Sequence, residues 1–117
     1  MIARKPQFVG LDANVLQEIV RRIVKVSQPQ KIVLFGSRAR DGHRPDSDLD
    51  LLVIKESAAP RYERAVPIYR ELAGLSLGID KDIIVYTPQE VEQWQNASAH
   101  FVTTAIREGK VIYERKP

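Results

Sequence analysis

Between residues 12 and 26, apolar side chains return at Val15, Leu16, Ile19, Val20 and Ile23. That three-to-four spacing predicts a helix with one buried face, and Asp12 stands where an N-cap belongs. "SQPQ" breaks the pattern, and "KIVLF" follows as a short β-branched, apolar run, a buried strand that stops at Gly36. After the polar loop "RDGHRP", "LDLLVI" predicts a second strand. "PRYERAVPIYRELAGL" has helical spacing with Ala65, Tyr69 and Leu72 on one side, and Pro67 inside it kinks or shortens the helix. "KDIIVY" predicts a third strand. Thr87, Pro88 and Glu90 form a capping box with proline at the first helical position, so a helix starts there. A last helix is expected from Ser98 to Glu108 with Gly109 as its C-cap, and "VIYE" ends the pattern as a short strand. Interleaved helices and strands place the chain in the α/β (α+β) class, a small mixed central sheet flanked by helices.

With 117 residues and 44% hydrophobic content, one core is expected, so residues 1–117 are read as a single domain. No apolar run approaches the length of a membrane span, and the first ten residues lack the apolar stretch of a secretory signal. The absence of cysteine excludes disulfides and thiolate metal sites and agrees with a cytoplasmic location. A net charge of +3 suits a nucleotide or RNA partner but is ordinary enough to decide little.

What does not fit a bland domain is "FGSRARDGHRPDSDLDLLV", residues 35–53. Aspartate is depleted in strands and costly to bury, yet Asp48 and Asp50 open one. Residues two apart on a strand point to the same face with Cα atoms about 7 Å apart, while Leu49 and Leu51 turn to the core. Two carboxylates at that spacing repel unless a proton or cation intervenes, and a hard ion such as Mg²⁺ is the natural partner. Gly36 allows a sharp turn and close approach of backbone to ligand. A short helix starting at Ser37 would offer N–H groups to a phosphate, and the Ser37 hydroxyl adds a donor. Arg38 and Arg40 are within reach of the outer phosphates or of departing pyrophosphate. Together these residues describe a site for a nucleoside triphosphate and its metal. His43 and His100 read as surface residues, and Trp94 and Phe101 as core or interface packing.

Gly36-Ser37, ten residues, then Asp48-x-Asp50 resembles the motif of the DNA polymerase beta-like nucleotidyltransferase superfamily. More closely, "GSRAR…RPDSDLDLLV", "KDIIVY" and "AIREGKVIYER" are similar to the minimal nucleotidyltransferases of prokaryotes, so the likeness spans most of the chain. Asp41 stands where many relatives carry glycine, and Gly42 follows, a one-residue shift of the loop bend. The resemblance implies transfer of a nucleoside monophosphate from a triphosphate to a hydroxyl, with ATP as substrate and two Mg²⁺ ions. It also implies a third carboxylate on a neighbouring strand. Asp82, directly before its apolar run, is the candidate, and Asp80 is its rival. In that scheme Asp48, Asp50 and Asp82 hold the metals, and Asp82 helps activate the incoming hydroxyl.

Larger members of the superfamily append domains that hold the acceptor, and this chain has no room for one. Minimal members are typically found with a helical HEPN protein, and in several pairs the HEPN protein is a toxin adenylylated on a tyrosine. The resemblance therefore implies an adenylyltransferase acting as antitoxin to a HEPN toxin, in a homo- or hetero-oligomer. Two other readings stand beside it. One is an antitoxin that neutralises by binding alone, and the other is a nucleotidyltransferase acting on RNA or a small molecule.

Overall fold

The order of elements follows the hydrophobic pattern. A computed structural model describes residues 13–44, 47–75, 78–94 and 101–117. Helix α1 (Ala13–Ser27) leads into β1 (Lys31–Phe35), then a 3₁₀ turn over Gly36–Ala39 and β2 (Leu49–Ile54). Next come α2 (Arg61–Arg64), α3 (Val66–Leu72), β3 (Lys81–Tyr86), α4 (Pro88–Trp94), α5 (Phe101–Glu108) and β4 (Lys110–Glu114). The strands form one mixed sheet in the order β3-β2-β1-β4; β1 is antiparallel to β2 and β4, and β2 is parallel to β3.

Both faces of the sheet are covered, which explains why β2 reads as a nearly continuous apolar run. On one face Ile19 and Ile23 of α1 and Ile68 and Leu72 of α3 pack against Leu34, Leu49, Leu51, Val53 and Ile83. On the other, Val102 and Ala105 of α5, with Val91 and Trp94 of α4, pack against Val33, Leu52, Ile54 and Tyr86. Each fully buried aliphatic side chain here contributes about 1.5–3 kcal/mol.

Several local expectations shift. The segment expected as one helix breaks at Ala65, and Pro67 falls in the first turn of α3, where its missing N–H costs nothing. Ile68 and Leu72 are its fully buried residues, whereas Tyr69 stays partly exposed. Asp12, His100 and the expected start of the last helix at Ser98 lie outside the described residues. Gly109 is not a left-handed cap, since the glycines with positive φ among the described residues are Gly36, Gly42 and Gly78. It is glycine because a Cβ there would collide with the Ala105 and Leu34 carbonyls and Val33 Cγ1. The helix end simply has to pass too close to β1 for a side chain. Among the described residues no helix is long and apolar enough to cross a membrane.

Candidate active site

Strand β1 ends at Phe35, and Gly36 turns the chain at φ +73°, a region that side chains rarely enter. Space reinforces the requirement, because Asp50 Oδ2 sits where a Cβ of residue 36 would stand. The Gly-Ser turn and the β2 carboxylate are therefore in direct contact. The turn is four residues of 3₁₀ helix, not the start of an α-helix. It is too short to carry a macrodipole, so an anion there would meet local N–H groups and the Ser37 hydroxyl rather than a helix dipole.

Arg38 and Arg40 are divided between the two sides of the sheet. Arg38 is 6% exposed, lies beside Leu16, Leu34 and Leu49, and donates from Nε to the Ser47 carbonyl at 2.9 Å. Ser47 in turn closes a small turn, its N–H donating to Arg44 O (3.0 Å) and its Oγ accepting from Arg44 N (3.1 Å). Arg38 thus ties down the residue before Asp48. Arg40 is exposed, at the rim of a cleft that also reaches Gly36. His43 is exposed, as expected of a surface residue, with Nδ1 3.2 Å from Arg40 O.

Sheet register sets the carboxylates. Asp50 pairs with Phe35 of β1 on one side and with Asp82 of β3 on the other, so the three side chains share the face covered by α4 and α5. Leu49 and Leu51 are fully buried on the opposite face, as the alternation requires. Asp48 lies one residue before the strand and is exposed, and Asp82 is exposed as well. Burial raises the Asp50 carboxyl above its ordinary pKa, and the negative charges of Asp82 and Asp48 add to that rise. Asp80 takes a backbone role, its carbonyl accepting from Leu49 N at 2.9 Å.

Among the described residues, no three His, Asp or Glu side chains are gathered closely enough to ligate an ion as they stand. The donor chemistry nevertheless fits a hard cation. All the groups are carboxylates, and one is half-buried, its pKa raised first by burial and then by the charges of Asp82 and Asp48, a repulsion that a divalent ion would offset.

Two features had no signal in the sequence. Tyr69 of α3 reaches the outer edge of β3, where its hydroxyl accepts from Ile83 N (2.7 Å) and lies 3.5 Å from Lys81 O. It therefore clasps the two peptide groups flanking Asp82. The second is a cleft of about 430 Å³ between the end of β1 and α5, lined by Phe35, Gly36, Arg40, Phe101, Thr104 and Glu108. Residues 101, 104, 105 and 108 recur at helical spacing, but nothing in that spacing says that Gly36 lies opposite.

A family model described as polymerase beta, nucleotidyltransferase, matches residues 17–117. No curated protein matches. Among solved structures, the chain is similar to one in a crystal structure of a mutant of the toxin–antitoxin MntA-HpeT, at 20% identity and TM-score 0.49. That similarity covers 91% of this chain and 75% of the other. The match over residues 17–117 takes in the Gly-Ser turn, both β2 aspartates and Asp82, and the chain belongs to the polymerase beta nucleotidyltransferase family.

Proposed function

We propose that the chain is a single-domain, Mg²⁺-dependent adenylyltransferase that transfers AMP from ATP to a tyrosine hydroxyl of a partner HEPN toxin, acting as its antitoxin. The observation that carries the catalytic part is the placement of Asp50 against Gly36 on one side and abreast of Asp82 on the other. A phosphate-binding turn and a pair of hard ligands share one point of the sheet. Family membership supports the reaction class. The HEPN partner, the antitoxin role and the tyrosine acceptor rest on the sequence resemblance.

In this reading Gly36 lets the backbone approach the triphosphate, and the Ser37 hydroxyl donates to a phosphate oxygen. Arg40, exposed beside the turn, offers its guanidinium to the phosphates. Arg38 holds the loop before Asp48 through Ser47, a positioning task in place of a phosphate contact. Asp48, Asp50 and Asp82 would hold Mg²⁺, which supplies charge neutralisation to the triphosphate and to departing pyrophosphate. Asp82, exposed on β3, accepts the proton of the acceptor hydroxyl. The acceptor oxygen bonds to the α-phosphorus as the bond between that phosphorus and the bridging oxygen to the β-phosphate breaks. The products are an AMP ester and pyrophosphate.

The test is label transfer from α-phosphate-labelled ATP to the product of the adjacent gene, with Mg²⁺, compared with Asp50→Asn and Asp82→Asn. Label should pass to a tyrosine of the partner and fall at least about a hundredfold in each variant, the scale of a lost acid–base or metal-holding group. Neutralisation of the partner that survives both substitutions without label would establish action by binding alone. Label on RNA or a small molecule instead would reassign the acceptor.

A further inference from the structure

The cleft beside Gly36 has an aromatic wall. That wall is Phe101 of α5, 38% exposed, whose ring stands 5.9 Å from Phe35 at 51° and 5.7 Å from Tyr86 nearly edge-on at 73°. Phe35 and Tyr86 hold the plane of that ring where it borders the cleft, so the cleft meets an ordered aromatic surface instead of a mobile side chain. Thr104 and Glu108 continue the same helix face one and two turns on, bringing a hydroxyl and a carboxylate to an otherwise apolar lining. The floor is closed by Ala105 and Gly109, and a side chain at residue 109 is sterically forbidden. At about 430 Å³ the space is of the size that holds a small organic ligand.

Its position decides what that ligand is. Gly36 belongs both to the cleft and to the turn that contacts Asp50, and Arg40 stands at the rim. Phe35, Asp50 and Asp82 are abreast on the sheet face that α5 covers. A triphosphate seated at the turn would have this cleft as the adjoining aromatic surface. We propose that the cleft between β1 and α5 receives the base of the nucleoside triphosphate, with Phe101 as its stacking face and Thr104 and Glu108 as hydrogen-bonding groups to its edge. The proposal rests on the nucleotide-binding reading of the Gly-Ser turn and adds the base-binding half.

The experiment compares ATP with inorganic tripolyphosphate, both with Mg²⁺, by calorimetry and by amide chemical shifts of the unaltered protein. ATP should bind more tightly than tripolyphosphate. It should move the amides of Thr104, Glu108 and Gly109, while tripolyphosphate moves those of Gly36 and Ser37 alone. Phe101→Ala should weaken ATP about tenfold and leave tripolyphosphate unchanged, and Phe101→Trp should restore ATP binding. Shifts that bypass α5, or ATP affinity indifferent to residue 101, would overturn the base site while leaving tripolyphosphate binding at the turn as evidence for the phosphate site. Shifts on α5 produced by the partner protein and not by ATP would make the cleft the acceptor's seat and overturn it equally. If neither ligand binds, the nucleotide reading and the base site fall together.

Discussion

At the scale of single residues, the site depends on side chains that touch no substrate in the proposed reaction. Asp82 is on an edge strand, where half of the backbone groups have no neighbouring strand to bond. Tyr69 takes over that task by binding the peptide groups on either side of Asp82. Tyr69→Phe removes one hydroxyl and is expected to lower stability by about 1 kcal/mol, the net value of a hydrogen bond. Its stronger effect should be on the rate of label transfer, with ATP affinity unchanged, because the carboxylate loses its fixed backbone rather than its ligand. A loss of ATP affinity equal to the loss of rate would mean that Tyr69 acts on binding, and the positioning role would be discarded. Neither Tyr69 nor Arg38 was legible as a support in the sequence. One reads as part of a helical stripe and the other as a phosphate ligand, because hydrogen bonds from side chain to distant backbone leave no trace in local spacing.

At the scale of elements, the clearest success of local reasoning is the start of α4. Thr87 Oγ1 accepts from Glu90 N at 3.1 Å, and Glu90 Oε1 accepts from Thr87 N at 2.9 Å, the reciprocal pair that the sequence predicts. Tertiary structure then adds to it. Arg64 of α2, its side chain 9% exposed, donates to both Glu90 oxygens at 2.7 and 3.2 Å and also to the Ala59 and Val85 carbonyls. The capping glutamate therefore also ties α2 to the β3–α4 junction. Hydrogen bonds from Arg64, followed by that from Thr87 N, hold its pKa down at about 2, against an ordinary 4.5. A depressed carboxylate contributes stability that is fully present above the unfolded pKa and drains away as pH falls through the folded one. Glu90→Gln should cost about 1–2 kcal/mol at pH 7. The difference in urea midpoint between the two proteins should stay constant down to about pH 5 and close toward pH 2. A gap that persists at pH 2 would show that shape, not charge, is what Glu90 supplies.

At the scale of the whole molecule, the negative charges of Asp48, Asp50 and Asp82 work against the fold. With Asp50 raised by burial and by its two acidic neighbours, its charge opposes folding at neutral pH, and that cost disappears only below the ordinary carboxyl pKa. In chelator, Asp50→Asn is expected to melt above the unaltered protein, because the neutral amide removes the charge that burial and the two acidic neighbours disfavour. Millimolar Mg²⁺ with ATP should reverse the order by stabilising the unaltered chain and not the variant. Identical melting of the unaltered protein in chelator and in Mg²⁺-ATP would remove the metal from the proposal. The surface adds a second asymmetry. Tyr62 (83% exposed), Val66 and Tyr69 leave apolar area on α2 and α3, whereas Trp94 and Tyr113 pack partly into the two cores. The class, the element order and the Gly-Ser and Asp-x-Asp pattern were all determined by the sequence itself. Helical and strand periodicity, caps and steric turns act over a few residues and so are written in local spacing. Tertiary structure alone decided that Asp82 stands abreast of Asp50, that Arg38 and Arg40 part to opposite sides, and that α5 closes a cleft over Gly36. Each of these depends on strand register or helix packing across tens of residues, and the contacts that set them exist only once the chain has folded.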